Sequence, residues 1–192
     1  MLSTYLKGTK EYKGVGLLGV ETDTLDSEGA GVKEMPWQHV TIDQLDCALP
    51  HFQGSILQTP PMYSALKKNG KPLYKLARAG QTVERPKRKV HVKRIELLAE
   101  IDGRKIDLPE FGVEVEVSGG TYIRTLIADI ATHCGSCAHM TSLVRTRVGP
   151  FGLDDCIQQE QWKSEGDIMS HVQHCTHTIL SQTKPTLATS FA

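Results

Sequence analysis

The plainest hydrophobic pattern in the chain lies in FGVEVEVSGG at residues 111–120, where Val113, Val115 and Val117 alternate with Glu114 and Glu116. That is the period-two signature of a strand with one buried and one wet face. Gly119 and Gly120 end it. The period then changes: Ile123, Leu126, Ile127 and Ile130 in TYIRTLIADIATHC recur at helical spacing, so an amphipathic helix follows the strand. Upstream, KVHVKRIELLAEI opens with the same alternation, Val90 and Val92 sharing a side with Ile95. EYKGVGLLGV at 11–20 reads as a glycine-rich strand and TSLVRTRV at 141–148 as another, while ETDTLDSEGAGV between them in sequence reads as a polar turn. Thr41 and Gln44 form a capping-box pattern that opens a helix through about Leu49, which Pro50 ends. QTPPMYSALKKNGKP is expected to be irregular, and Pro72 suits the first turn of a short helix, LYKLARA, that Gly80 closes. A last helix is expected from about Ile157 to His174. Strands and helices mixed in this order predict an α/β (α+β mixed sheet) fold. Residues 1–155 would form one domain and 156–192 a C-terminal helix and polar tail.

With 192 residues and 39% hydrophobic content, the chain can bury a real core. No apolar run approaches the roughly 20 residues a membrane helix needs, so no membrane association is expected. Its beginning, MLSTYLKGTKEYKG, has no apolar stretch of the secretory kind. The five cysteines, Cys47, Cys134, Cys137, Cys156 and Cys175, are an odd and scattered set, which argues for reduced thiols in an intracellular compartment. Nucleus, cytosol and mitochondrion are not distinguished by this pattern.

Net charge is zero, but the charges are segregated. From Leu66 to Arg94 there are eleven Lys or Arg against one acid, Glu84, which leaves eleven basic and 21 acidic residues elsewhere out of totals of 22 each. A solvated charged face explains such a segment as well as a polyanion held on one side does.

The same segment carries the most informative motif. Residues 52–80 read FQGSILQTPPMYSALKKNGKPLYKLARAG and resemble the TruB-type pseudouridine synthases through FxGxIxQxPPxYSAxKxxGxxxYxxARxG, with Leu57 beside the expected isoleucine, Ile56. SGGTYIRTLIADI from Ser118 looks like that family's strand-to-helix active-site motif. YLKGTKEYKGVGLLGVETDTLDSEG from Tyr5 looks like the block that follows its catalytic loop. The three blocks occur in the family's order and cover about Tyr5 to Phe151. The resemblance implies the pseudouridine synthase fold, isomerisation of a T-loop uridine of tRNA to pseudouridine, and no metal or organic cofactor. It implies tRNA, through its T-arm, or another stem-loop RNA as partner of a monomeric protein. Tyr12 matches the family's tyrosine over the extruded base, Arg124 the arginine that pairs with the catalytic aspartate, and Leu143 a leucine of the pocket wall, with Tyr122 joining them. Lys67, Lys68, Lys71, Lys75, Arg78, Arg85, Lys87, Arg88 and Lys89 would meet RNA phosphates. Tyr63 and Tyr74 would offer stacking faces beside them. Without the family's register Tyr12 and Leu143 read as core, Tyr63 and Tyr74 as half-buried packing residues, and Arg124 as an exposed helix charge.

The chemistry needs a nucleophile, and in the family it is an aspartate in a G-x-L-D-P-x-A-T-G loop. No such motif occurs in this sequence. Thr24-Leu25-Asp26 contains the triplet, but Ser27 stands where the proline would be and the register is that of the downstream turn. Asp23 and Asp26 are therefore expected to be turn or capping carboxylates. The chain is expected to lack the fold's first strands and catalytic loop, to be inactive and marginally stable alone, and to leave Arg124 without its carboxylate partner. Two other readings stand beside this one: a non-catalytic RNA-binding remnant, and a zinc or thiol module built on His133, Cys134, Cys137 and His139, whose spacing can suit a metal.

Overall fold

A computed structural model describes residues 8–182, so residues 5–7 of the third block and the end of the polar tail lie outside the described residues. In chain order the elements are β1 (Lys10–Leu18), β2 (Val20–Thr22), β3 (Gly31–Glu34), α1 (Ile42–Ala48), β4 (Gly54–Gln58), β5 (Lys67–Lys68), β6 (Lys71–Pro72), α2 (Leu73–Arg78), β7 (Arg88–Leu98), β8 (Glu100–Ile101), β9 (Arg104–Lys105), β10 (Glu110–Val117), α3 (Ile123–His133), β11 (Ala138–Val148), β12 (Phe151–Gly152) and α4 (Glu165–Gln182). Six strands form one sheet in the order β12-β11-β1-β10-β7-β4, and every neighbouring pair in it is antiparallel.

The alternation seen in the sequence sets which face is covered. Val113, Val115 and Val117 are buried and share one cluster with Ile123, Leu126, Ile127 and Ile130 of α3 and Leu45 of α1. The opposite face is wet and charged, with Lys93–Glu116 at 2.8 Å and Arg94–Glu96 at 3.1 Å. Val92 and Ile95 are three residues apart yet both buried. The register shift that pairs Val117 with Val92 but Glu116 with Arg94 leaves Lys93 as the extra residue of a bulge, which restores the parity. Gly16 allows α3 to approach β1 closely, since a Cβ there would stand 2.6 Å from Ile127 and 2.8 Å from Phe111.

The capping box forms as read: Thr41 Oγ1 accepts from the Gln44 N–H, and Gln44 Oε1 accepts from the Thr41 N–H. Two segments differ from expectation. QTPPMYSALKKNGKP is not wholly irregular, because β5 and β6 pair as a hairpin. Its turn residues Asn69 and Gly70 both have positive φ, 51° and 77°, the two-residue arrangement that suits strand twist. The last helix starts at Glu165 rather than near Ile157, because Ser164 Oγ accepts the Asp167 N–H and acidic Glu165 and Asp167 occupy the first turn.

Candidate functional site

The turn between β2 and β3 is built by its own side chains. Thr22 Oγ1 donates to the Asp26 carbonyl at 2.6 Å, Thr24 Oγ1 donates to Asp26 Oδ1 at 2.6 Å, and Asp23 Oδ1 accepts the Ala30 N–H at 3.0 Å. Leu25 at φ 63° reverses the chain. Gly29 is needed because any Cβ there would collide with Thr24 and Asp23. The turn is then fastened to the sheet: the Met140 N–H donates to the Leu25 carbonyl at 3.0 Å, and Asp26 and Met140 form a parallel bridge.

That anchorage delivers Asp26 to the start of α3. Arg124 Nη1 donates to Asp26 Oδ2 at 2.6 Å, with the two side chains 18% and 21% exposed, and Arg124 Nη2 donates to the Tyr63 carbonyl. The expectation that Arg124 would lack a carboxylate is therefore corrected: Asp26, 98 residues away in sequence, fills that place. Burial pushes the Asp26 carboxyl up, but the bonds from Thr24, Arg124 and the Glu28 N–H outweigh it and hold the group below the usual carboxylate range. Asp26 is thus ionised and fully engaged, a holder of Arg124 rather than a free attacking oxygen.

Gln58 fixes the same corner. Its buried amide donates through Nε2 to the Tyr122 carbonyl at 3.0 Å and accepts the Tyr122 N–H through Oε1 at 2.8 Å. Tyr122 is the N-cap residue of α3 and has no side-chain cap, so this two-way bond from β4 sets where the helix begins. Gln58 sits in the QTPP motif, but its isolated position there gives no hint of this partner.

Tyr12 lies half-buried on β1, paired with Val115 and Arg145 and packed on the core. Two residues on, a Cβ at Gly14 would meet Ile123 at 3.5 Å and Leu143 at 3.5 Å. Leu143 of β11 and the residue preceding Arg124 thus stand over the same strand as Tyr12. Leu143 is 40% exposed, high for leucine and suited to a surface that receives a ligand.

The basic residues occupy the neighbouring segment. Lys67, Lys68 and Lys71 are exposed on the β5–β6 hairpin, Lys75 and Arg78 on α2, and Lys87, Arg88 and Lys89 at the start of β7. Lys67, Lys68, Arg85 and Arg88 line a cavity of about 530 Å³. Arg85 is half-buried, with Nη1 donating to the Pro60 carbonyl at 3.1 Å, so it is a wall of this cavity and not a free surface cation. Arg78 stands 5.6 Å from the centre of the Tyr74 ring. The Tyr63 hydroxyl donates to Asp23 at 3.3 Å, and that carboxylate raises its pKa. Tyr63 therefore ties the loop leading to the hairpin onto the Asp26–Arg124 corner.

The His133–His139 cluster disperses. His133 packs tilted against His51 at 4.5 Å between ring centres, Cys134 Sγ approaches the Gln44 carbonyl, Cys137 Sγ the Lys33 carbonyl, and His139 Nδ1 lies 2.8 Å from the Val20 carbonyl. Among the described residues no group of three or more His, Cys, Asp or Glu could hold a metal ion, and all five cysteines are free.

The profile of the TruB family pseudouridylate synthases (N terminal domain) matches residues 1–123, and that of the tRNA pseudouridylate synthase B C-terminal domain matches residues 124–171. The chain belongs to the TruB family of pseudouridylate synthases. It is 40% identical over 178 residues to Homo sapiens pseudouridylate synthase TRUB1, covering 92% of this chain and 49% of that one. It is 49% identical over 155 residues to tRNA pseudouridine synthase B of Stutzerimonas stutzeri (strain A1501), covering 81% and 48%. Among solved structures it resembles a chain of a Cbf5-Nop10-Gar1 complex with TM-score 0.54 and 30% identity, covering 84% of this chain and 39% of that one. A chain of an H/ACA RNP bound to a substrate RNA matches with TM-score 0.52 and 26% identity, covering 83% and 35%. The sheet and helix arrangement is thus that of the pseudouridine synthase fold, and the chain spans about half the length of the curated relatives it matches. Among the described residues no helix is long and apolar enough to cross a membrane.

Proposed function

We propose that this chain is the tRNA-holding and uridine-positioning portion of a TruB-type pseudouridine synthase acting in the T-arm. The observation that carries the reading is the Asp26–Arg124 pair, set at the start of α3 beside the strands that bear Tyr12 and Leu143. Arg124 offers a held guanidinium to a nucleophilic carboxylate. Tyr12 and Leu143 offer a ring and an apolar wall to an extruded base, whose unstacking costs a few kcal/mol. Lys67, Lys68, Lys71, Lys75, Arg78, Lys87, Arg88 and Lys89 supply the phosphate contacts, and Tyr63 and Tyr74 the stacking faces. A carboxylate suits the isomerisation because it is ionised at neutral pH, can form a covalent adduct and can later depart. The family's aspartate motif does not occur among these 192 residues, and Asp26 is committed to Arg124, so the chain by itself holds RNA without turning it over.

The test is pseudouridine formation on an unmodified tRNA transcript, beside filter binding across a salt series, with circular dichroism as the check on folding. The expected result is salt-dependent binding with no product. Product from the folded chain would overturn the inactivity and make Asp23 and Asp26 the first residues to replace. Weak, salt-insensitive binding would overturn the RNA-holding role itself.

A further inference from the structure

On the flank of α3 away from Tyr12 lies a second cavity, of about 410 Å³, between that helix, the β2 turn and the segment leading into β7. Thr125 and Asp129, one helical turn apart, line it from α3, Glu21 and Asp23 from the turn side, and Arg85 and Thr59 from the far wall. Two of its polar groups are unsatisfied. Thr125 is 5% exposed, yet its Oγ1 has no hydrogen-bond partner, and neither has the buried Arg85 Nε. Buried donors left unpaired are rare and costly, so a pair of them on one cavity calls for an acceptor brought by something else. Meanwhile three carboxylates, Asp129, Glu21 and Asp23, face Arg85 alone as a lining cation. Asp23 is already committed to the Ala30 N–H and the Tyr63 hydroxyl. Among the described residues neither Asp129 nor Glu21 has such a bond, and the Glu21 charge makes Asp129 harder to ionise.

We propose that this cavity binds an alkylammonium group, carried by a lysine side chain whose backbone carbonyl supplies the acceptor for Thr125 and Arg85. The ammonium places three donors between Asp129 and Glu21. The carbonyl answers the two orphaned donors, which a free polyamine, having no acceptor oxygen, leaves unsatisfied. Burial, opposed by Lys87 and reinforced by Glu21, lifts the Asp129 pKa to about 6. A bound ammonium reverses that balance and expels the proton.

The experiment follows the Asp129 carboxyl carbon by NMR through a pH titration of the full chain, alone, with N-acetyl-lysine methylamide, and with spermidine. The lysine amide is expected to lower the midpoint from about 6 by about one pH unit, with Glu21→Gln weakening its binding about tenfold. Thr125→Val should weaken the lysine amide and leave spermidine unaffected. Tighter binding of spermidine would replace the polypeptide lysine by a free polyamine as the source of the cation. A midpoint that neither amine moves overturns the proposal, and this readout involves no RNA and no turnover, so it stands apart from the fate of the functional reading above.

Discussion

At Asp26 two opposing forces meet. Burial disfavours its charge, while the Thr24 hydroxyl, the Arg124 guanidinium and the Glu28 N–H favour it more. A carboxyl whose folded pKa is depressed adds stability that is present above its unfolded pKa of about 4 and is lost as pH falls through the folded value. Asp26→Asn keeps the shape and removes the charge, stranding Arg124 in a partly buried place. At pH 7 it should cost about 2 kcal/mol, below the 3–5 seen when fully buried pairs are broken. Urea unfolding checks this, and the expected signature is convergence of the two proteins as pH falls below the usual carboxylate range, where the native carboxyl also gives up its charge. A difference that persists undiminished there would mean that packing, not the ion pair, is what Asp26 supplies. The pair itself is illegible in the sequence. Nothing local links positions 98 residues apart, and the link exists only because the Leu25 reversal and the Met140 bridge carry the turn to the helix.

Elements were legible where their signals are local. The Val113, Val115, Val117 alternation gave β10, the Ile123 to Ile130 spacing gave α3, and Thr41 with Gln44 gave the start of α1, since each pattern is complete within one or two turns of chain. The β5–β6 hairpin carried its own signal in Asn69-Gly70, as β8–β9 does in Asp102-Gly103, whose φ values are likewise positive. Proline-rich flanks drew the first of these towards an irregular reading. The bulge at Lys93 and the clamp of Gln58 on Tyr122 depend on partners in other strands or helices and have no such local signal. Gln58→Ala should strip two hydrogen bonds and leave the Tyr122 N–H unpaired at the head of α3, the carbonyl keeping the Leu126 N–H, at a cost of about 1–3 kcal/mol. Amide exchange should show the first turn of α3 opening sooner than the rest of the helix. Uniform loosening of the whole chain would instead mean that Gln58 serves the core at large.

Across the whole molecule the zero net charge conceals a division of labour. Carboxylates line the α3 flank and are paired with cations on the wet face of the sheet, while cations gather with little acid among them on the hairpin, α2 and the start of β7. Tyr63 joins the two regions, because it holds Asp23 through its hydroxyl and Arg124 through its carbonyl. An RNA strand drawn to the hairpin is therefore drawn to a loop already bonded to the Arg124 corner. If that is how the chain holds tRNA, affinity must depend on salt through the number of phosphates neutralised. Each contact adds about 0.7–0.9 to the slope of log affinity against log salt. Lys67, Lys68 and Lys71 are exposed, so replacing all three by glutamine should leave the fold intact. It should weaken tRNA binding at moderate salt and reduce the slope by about 2, with little effect on which tRNA is preferred. An unchanged slope in filter binding would place the phosphate contacts elsewhere and leave the hairpin a merely solvated charged face.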